Sequence, residues 1–374
     1  MDFSHHRTSI HHEPNDTKRQ TLASKEESIP VTTHRCRIHI VGASGQLGYA
    51  LLTTQPAFLW KVGQETPLVT YSRRDCDLSD PTVFTSGETL MLGPGDIVIN
   101  CAAYTAVDAA EENPDLAYRI NAEAPGELAA LCRERGTHLI HLSTDYVFGG
   151  QPRRDDAGQC LPWETDDPVS PRCVYGASKA AGEAAIMDAW AGAEGPHQAV
   201  IVRTSWLFTG PKRRQWGVRG SDFVTTMQDL YQAKGSVTVV NDQYGCPTYS
   251  LDLARGLWEL CQKLCHGEAV SSLLHATNSG FTTWFNFAQA IIGQHDSDAA
   301  TAVRPCASSE FPTSATRPSW STLSPTSWHD AGLTPLRSWQ EALEAALDEC
   351  TQGADTEPAR GASADSSVRV QPVG

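Results

Sequence analysis

Tyr175 and Lys179 stand four residues apart in the run Tyr175-Gly-Ala-Ser-Lys179. On a helix that spacing sets a phenol and an ammonium on one face. Reducing a carbonyl calls for a proton donor as hydride arrives. A free phenol has a pKa near ~10, about three units too high for this task at neutral pH, which is roughly 4 kcal/mol. A lysine ammonium about 4 Å away, at an effective dielectric near 20, supplies a term of about that size. Lys179 is therefore expected to pull the pKa of Tyr175 down and to hold a cofactor ribose. A hydroxyl beside the reacting oxygen would complete the set, and Ser143-Thr144 is placed for it at the end of the strand Leu139–Leu142. Capping a turn is the other use open to Thr144.

Upstream, Gly42-Ala-Ser-Gly45-Gln-Leu-Gly48 follows the short apolar strand Arg37–Val41 and opens a helix. Glycines there permit a tight turn and let backbone N–H groups approach a pyrophosphate, with the helix N-terminus adding its positive end. Gly42, Gly45 and Gly48 are thus candidate cofactor-binding residues; a plain strand-to-helix turn is the alternative. The second strand, Leu68–Tyr71, runs into Ser72-Arg73-Arg74. An NAD-selective site usually carries an acid here for the ribose 2′-OH, whereas an arginine suits the 2′-phosphate of NADP. Arg73 therefore points to NADPH, unless both arginines are simply solvated surface groups.

The elements that must position these groups alternate. Asp96–Asn100 reads as a third strand, Ala117–Arg133 as a helix, Thr137–Leu142 as a strand, Tyr175–Ala189 as an Ala-rich helix and Ala199–Val202 as the next strand. Strands alternating with helices of this length predict an α/β protein with a Rossmann-type doubly wound parallel sheet. After Trp206 the alternation weakens and aromatics become denser, which predicts a smaller C-terminal α/β substrate-binding region. The expected organisation is a disordered tail over 1–33, an NAD(P)-binding domain over 34–205, a substrate region over 206–350 and a second disordered tail over 351–374.

Net charge is −15 over 374 residues, which argues against nucleic acid held by a broadly basic surface. No stretch approaches the roughly 18 apolar residues of a membrane span, and the N-terminus has no apolar core of a secretory signal. A cytoplasmic protein without a membrane partner is the expectation. Eleven cysteines, odd in number and without a spacing pattern, make a poor disulfide framework. Cys261 and Cys265 are four apart, but no second ligand pair follows, so no metal site is read here and reduced thiols are expected.

These motifs carry a resemblance. Gly42–Gly48, Ser143-Thr-Asp-Tyr-Val-Phe148 and Tyr175-x-x-x-Lys179 resemble the extended short-chain dehydrogenase/reductase superfamily. Asn100-Cys-Ala-Ala-Tyr-Thr-Ala-Val-Asp108-Ala-Ala-Glu111, Arg203-Thr-Ser-Trp-Leu-Phe208, Val240-Asn-Asp-Gln-Tyr-Gly-Cys-Pro-Thr248 and Arg317-Pro-Ser-Trp-Ser-Thr-Leu323 narrow it to the dTDP-4-dehydrorhamnose reductase family, over about residues 36–350. The resemblance implies NADPH-dependent reduction of the 4-keto group of dTDP-4-dehydro-β-L-rhamnose, with NADH often tolerated. It implies Tyr175 as proton donor and Lys179 as its partner on the cofactor side. Thr144 would tune Tyr175 and, with Asp145, touch the substrate, on which Trp206 would stack. Gly45, Gln46 and Leu47 would hold the pyrophosphate. Asp77 and Leu78 would border the adenine, and Ala103, Tyr104 and Thr105 would line the cofactor cleft.

The chain departs from the family in three places. Asp222-Phe223 stands where Asn-Phe is common, and the loop Pro211–Gly220 looks long. Some members bind Mg²⁺ at a dimer contact through a Glu just after the Gly-rich turn; here Tyr49-Ala50 occupies that place, so the ligand is not matched and a homodimer is left open. From Arg203 to Arg219 there are five basic residues and no acid, namely Arg203, Lys212, Arg213, Arg214 and Arg219. Some of them, Arg213 in particular, are expected to clamp the substrate diphosphate; a solvated basic loop is the alternative. Two other functions compete with the reductase. One is another nucleotide-sugar reductase or epimerase. The other is a non-catalytic regulatory subunit similar to the methionine adenosyltransferase β-subunit.

Overall fold

Ile38–Val41, Ile97–Asn100 and His138–Thr144 are buried at every position. Strands covered on both faces read as continuous apolar runs rather than alternating ones. In the computed structural model, which describes residues 36–56, 60–61, 64–65, 68–84, 89–218, 220–294 and 298–348, these runs lie in one six-stranded sheet. Its strands are β1 (Ile38–Val41), β2 (Leu68–Tyr71), β3 (Ile97–Asn100), β4 (His138–Thr144), β5 (Ala199–Thr204) and β6 (Leu273–His275). Their order is β6-β5-β4-β3-β1-β2, and every neighbouring pair is parallel.

Successive side chains of a strand go to opposite faces, and the core divides accordingly. Ile38, Ile40, Ile97, Ile99 and Ile140 pack with Leu47 and Leu51 of α1 (Gln46–Thr53). On the other face Val98, Leu139 and Ile201 pack with Leu128 of α2 (Ala124–Arg135) and Ile186 of α3 (Val174–Trp190). The doubly wound expectation is therefore met. The sheet's order reverses at β1, with β2 on one side and β3 on the other, so a crevice opens beyond their carboxyl ends.

Three details differ from the sequence reading. The helix expected over 117–133 begins at Pro114 and is interrupted by a wide π-type turn, Arg119–Glu123, before α2. That turn lets α3 come close: a Cβ on Gly182 would lie 2.0 Å from the Asn121 carbonyl oxygen. The strand expected to end at Leu142 runs on to Thr144, because Ser143 and Thr144 pair with Arg203 and Thr204 of β5. Finally, β6 comes from beyond residue 206, so the later part of the chain supplies an edge of the main sheet. That part also contributes α4 (Phe223–Lys234), α5 (Ser250–Cys265), α6 (Trp284–Gly293), α7 (Trp339–Asp348) and short two-stranded pairings such as Leu207-Phe208 with Thr248-Tyr249. The two tails, 1–33 and 351–374, lie outside the described residues. Among the described residues no helix is long and apolar enough to cross a membrane.

Candidate active site

A cleft of about 1410 Å³ opens at the carboxyl ends of β1, β3 and β4. Ligand clefts for one small molecule are typically ≈ 300–1,000 Å³, so this one has room for two ligands side by side. Its floor is the Gly-rich turn. Gly42 has φ +81°, and a Cβ there would fall 2.7 Å from the Ala102 backbone nitrogen, so only glycine lets the ends of β1 and β3 approach. The Gly42 and Ala43 N–H groups both donate to the Tyr71 carbonyl, at 2.9 and 3.0 Å. Gly45 then caps α1, and Gly45, Gln46 and Leu47 line the cleft. Gly48 does not line it. A Cβ there would meet Ala43 at 2.6 Å, so this glycine, expected to bind cofactor, lets α1 seat on the turn.

At one end of the cleft stand Arg73, Asp77 and Leu78. The Arg73 side chain is 73% exposed and pairs loosely with Asp77 at 3.4 Å, so its guanidinium stays available to a phosphate. Arg73→Asp is expected to shift the kcat/KM ratio of NADPH over NADH towards NADH by about tenfold or more, the scale of one lost charged hydrogen bond. Steady-state kinetics with the two cofactors checks this, and an unchanged ratio would remove Arg73 from cofactor selection.

Ala103, Tyr104 and Thr105 line the middle of the cleft. Their position depends on Asn121, which the sequence reading did not single out. Its amide oxygen accepts from the Tyr104 N–H at 2.8 Å, and its NH₂ donates to the Tyr104 carbonyl and the Ser178 hydroxyl at 3.1 and 3.0 Å. Asn121 sits in the π-type turn, a feature common at functional sites.

Beyond it, Thr144, Tyr175 and Lys179 come together on the cleft wall. The Thr144 hydroxyl donates to Asp145 at 3.1 Å and accepts from the Tyr146 N–H at 3.2 Å, so it caps a turn as well as facing Tyr175. Burial pushes the Tyr175 phenol well above its ordinary value, opposed by a hydrogen bond with Thr144. The downward pull expected from Lys179 does not prevail over burial, and the lysine is engaged elsewhere. Its Nζ donates to the Leu142 carbonyl at 2.6 Å and lies 3.1 Å from His141 Nε2. Asn100 decides what that second contact is. Its amide oxygen accepts from the Ala102 N–H at 3.1 Å, which turns its NH₂ towards His141 Nδ1 at 3.1 Å. Nδ1 is then the acceptor, and the ring proton of a neutral imidazole sits on Nε2, facing Lys179. An ammonium would set donor against donor, whereas a neutral amine accepts. Burial lowers Lys179 to about 8, so the amine is accessible near neutral pH.

Asp145 is buried and accepts from the Ser205 hydroxyl at 3.1 Å. Burial nonetheless raises its pKa from 3.8 to about 6, against the hydrogen bonds from Ser321, Ser205 and Thr144. The folded state therefore favours the protonated acid. That stabilisation is complete below the unfolded pKa of about 4 and is lost as pH rises through about 6. Asp145→Asn cannot ionise, so its stability relative to the parent should increase by up to about 3 kcal/mol between pH 4 and 7. Urea unfolding of the two proteins at both pH values measures it; a difference independent of pH would refute the raised pKa.

Trp206 has φ +46°, the one described non-glycine residue with positive φ. Such a conformation costs about 1–3 kcal/mol and is retained where packing enforces it. The enforcement is visible: the indole stacks on Trp284 with ring centroids 3.5 Å apart, and a Cβ on Gly245 would lie 2.3 Å from the same ring. Trp284, unremarked in the sequence, and Gly245, quoted there only as part of a motif, thus fix the aromatic wall of the cleft. The basic cluster divides. Arg203 is buried in an ion pair with Glu183 at 2.7 Å and is not available to a diphosphate. Arg214 pairs with Asp229, and Arg219 lies outside the described residues. Arg213 does line the cleft, where it hydrogen-bonds Gln46 on the Gly-rich turn, and burial holds its guanidinium below the ordinary value. Its neighbour in the same loop, Trp216, stacks on Tyr49 with centroids 6.0 Å apart, so Tyr49 is engaged within the chain.

Known proteins are similar to this chain in sequence and fold. A family model described as the RmlD substrate binding domain matches residues 36–352. The chain is 41% identical over 316 residues to the dTDP-4-dehydrorhamnose reductase of Mycobacterium tuberculosis (strain ATCC 25618 / H37Rv), covering 83% of this chain and 92% of that one. It is 38% identical over 312 residues to the dTDP-4-dehydrorhamnose reductase of Streptomyces griseus, covering 83% and 92%. The crystal structure of dTDP-4-dehydrorhamnose reductase from Bacillus anthracis in complex with NADP matches with a TM-score of 0.69 at 31% identity, over 84% of this chain and 99% of that one.

Proposed function

This chain belongs to the RmlD substrate binding domain family, and on that premise we propose that it reduces the 4-keto group of dTDP-4-dehydro-β-L-rhamnose to dTDP-β-L-rhamnose with NADPH. The observation that carries the proposal is a phenol, a hydroxyl and a lysine on one wall of a cleft whose floor is a glycine cradle. The turn fits a dinucleotide: Gly42 lets the ends of β1 and β3 close up beneath it, the N-terminus of α1 would face a pyrophosphate, and Arg73 can meet a 2′-phosphate. NADPH, when bound, supplies the hydride.

The chain's own residues supply the rest. Tyr175 is kept protonated by burial, the form a proton donor must have, and its Oη would give that proton to the 4-keto oxygen. Thr144 orients the phenol. Lys179, poised between amine and ammonium, can return a proton to Tyr175 after each turnover. Asp145 and Trp206 would contact the sugar, Arg213 would meet phosphate, and the region after residue 206 would form the substrate side of the cleft. The reading implies a dTDP-sugar partner and places the reaction in the cytoplasm.

Purified protein should consume NADPH, followed by loss of its absorbance, only when dTDP-4-dehydro-β-L-rhamnose is supplied. Consumption independent of the sugar nucleotide, or none in its presence, overturns the reading and returns the regulatory-subunit alternative to the front.

A further inference from the structure

Cys36 and Cys265 are 229 residues apart in the chain, yet their Sγ atoms lie 3.2 Å from each other and share a hydrogen bond. From this juxtaposition we infer that the two thiols form an oxidant-sensitive pair, a site where a peroxide drives reversible disulfide formation outside the active site.

The surroundings favour oxidation at one partner. Cys265 is exposed at the end of α5, whereas Cys76, Cys132, Cys173, Cys246 and Cys261 are buried. Oxidation begins at an accessible thiol with thiolate character. The hydrogen bond shared with Cys36 lowers the Cys265 thiol below its ordinary value, and the same contact together with burial raises Cys36. Cys265 is therefore the attacking sulfur and Cys36 the resolving one.

The chemistry balances in two steps. The Cys265 thiolate attacks a peroxide oxygen, the O–O bond breaks, and a sulfenic acid and hydroxide form. The Cys36 sulfur then attacks Cys265 Sγ, the S–O bond breaks, and a second hydroxide leaves. Overall, two thiols and one hydrogen peroxide give one disulfide and two waters, with the peroxide reduced and the sulfurs oxidised. A thiol reductant such as dithiothreitol reverses it.

The bond would join two parts of the fold that already meet. Cys36 immediately precedes Arg37, whose N–H and guanidinium hold Asp96 at the foot of β3. Helix α5 packs on α1, where the Trp258 indole N–H donates to the Leu51 carbonyl at 3.2 Å. A covalent link at Cys36–Cys265 would clasp the entry to β1 onto the end of α5.

The test uses the full chain treated with dilute hydrogen peroxide, alkylated with N-ethylmaleimide, digested and analysed by mass spectrometry without reduction. The expected result is a peptide pair joined through Cys36 and Cys265, lighter by two hydrogens than the two free peptides together and separated by dithiothreitol. In Cys36→Ser the link should vanish and Cys265 should instead be trapped as a sulfenic acid by dimedone. Full alkylation of both thiols after peroxide, or a link from Cys265 to another cysteine that persists in Cys36→Ser, overturns the inference. Neither readout depends on catalysis, so the proposed reductase activity and this pair stand or fall separately.

Discussion

Tyr175→Phe is expected to lower kcat for the sugar-nucleotide reduction by about 10²–10⁴-fold, the usual worth of a positioned proton donor. The variant should otherwise resemble the parent. The ring of Tyr175 is buried and meets Tyr146 edge-on, with centroids 5.6 Å apart, and phenylalanine keeps that contact. Thr144, which loses one partner, retains its bonds to Asp145 and the Tyr146 N–H. Melting temperature and NADPH binding are therefore expected to change little while turnover collapses. The comparison matters because burial, not Lys179, dominates the phenol's acidity here. A phenol pushed upward holds its proton firmly at neutral pH, which suits a group that must arrive at the carbonyl still protonated. Full activity of Tyr175→Phe would end the proton-donor assignment.

The parts of this site that are contiguous in sequence were legible before any fold was known. Gly42 to Gly48 and Tyr175 to Lys179 are each written within one turn of chain, and their spacing carries the chemistry. Ile38–Val41 and Ile97–Asn100 were equally plain, since a strand buried on both faces carries apolar residues at adjacent positions, with only His39 and Asn100 polar here. What stayed hidden depends on residues brought together from far apart. Asn121 looks like an ordinary helix position until a π-type turn aims it at Tyr104. Gly245 belongs to a recognisable motif, but nothing in the sequence shows that the Trp206 ring lies on it. His141 sits in a strand whose alternation does not reveal that its ring meets Lys179 Nζ. The charge of Arg203 invited a role at the substrate, but a formal charge says nothing about the carboxylate waiting for it. Tyr175 and Lys179 do share a helix face, as their spacing required, yet the carbonyl of Leu142 and the ring of His141 decide where the amine points.

Glu183→Ala should destabilise the fold by about 3–5 kcal/mol, the measured scale for breaking a buried ion pair from one side. Arg203 meets Glu183 through two bonds, Nε to Oε1 at 2.9 Å and Nη2 to Oε2 at 2.7 Å, with both side chains almost wholly inaccessible. The same carboxylate accepts from the Ser143 hydroxyl at 2.5 Å, and the guanidinium lies over the Phe148 ring at 4.9 Å. Removing the carboxylate strands a buried guanidinium and a buried hydroxyl together. A paired Glu183→Met and Arg203→Met replacement removes both charges and should recover much of the loss, because desolvating the ion pair is itself costly. Urea unfolding of parent, single and double variants measures this, and a single variant within about 1 kcal/mol of the parent would show the pair to be dispensable. Recovered stability should not bring recovered turnover. Glu183 stands one turn beyond Lys179 on α3 and raises the lysine's pKa against burial, so the double variant is left with a more weakly basic amine. Arg203 lies near the end of β5, just before Ser205, the donor to Asp145, and Trp206. One buried ion pair thus ties the helix that carries the proton donor to the strand that carries the substrate wall, and a well-packed apolar substitute can hold the two elements together without holding Lys179 at its working pKa.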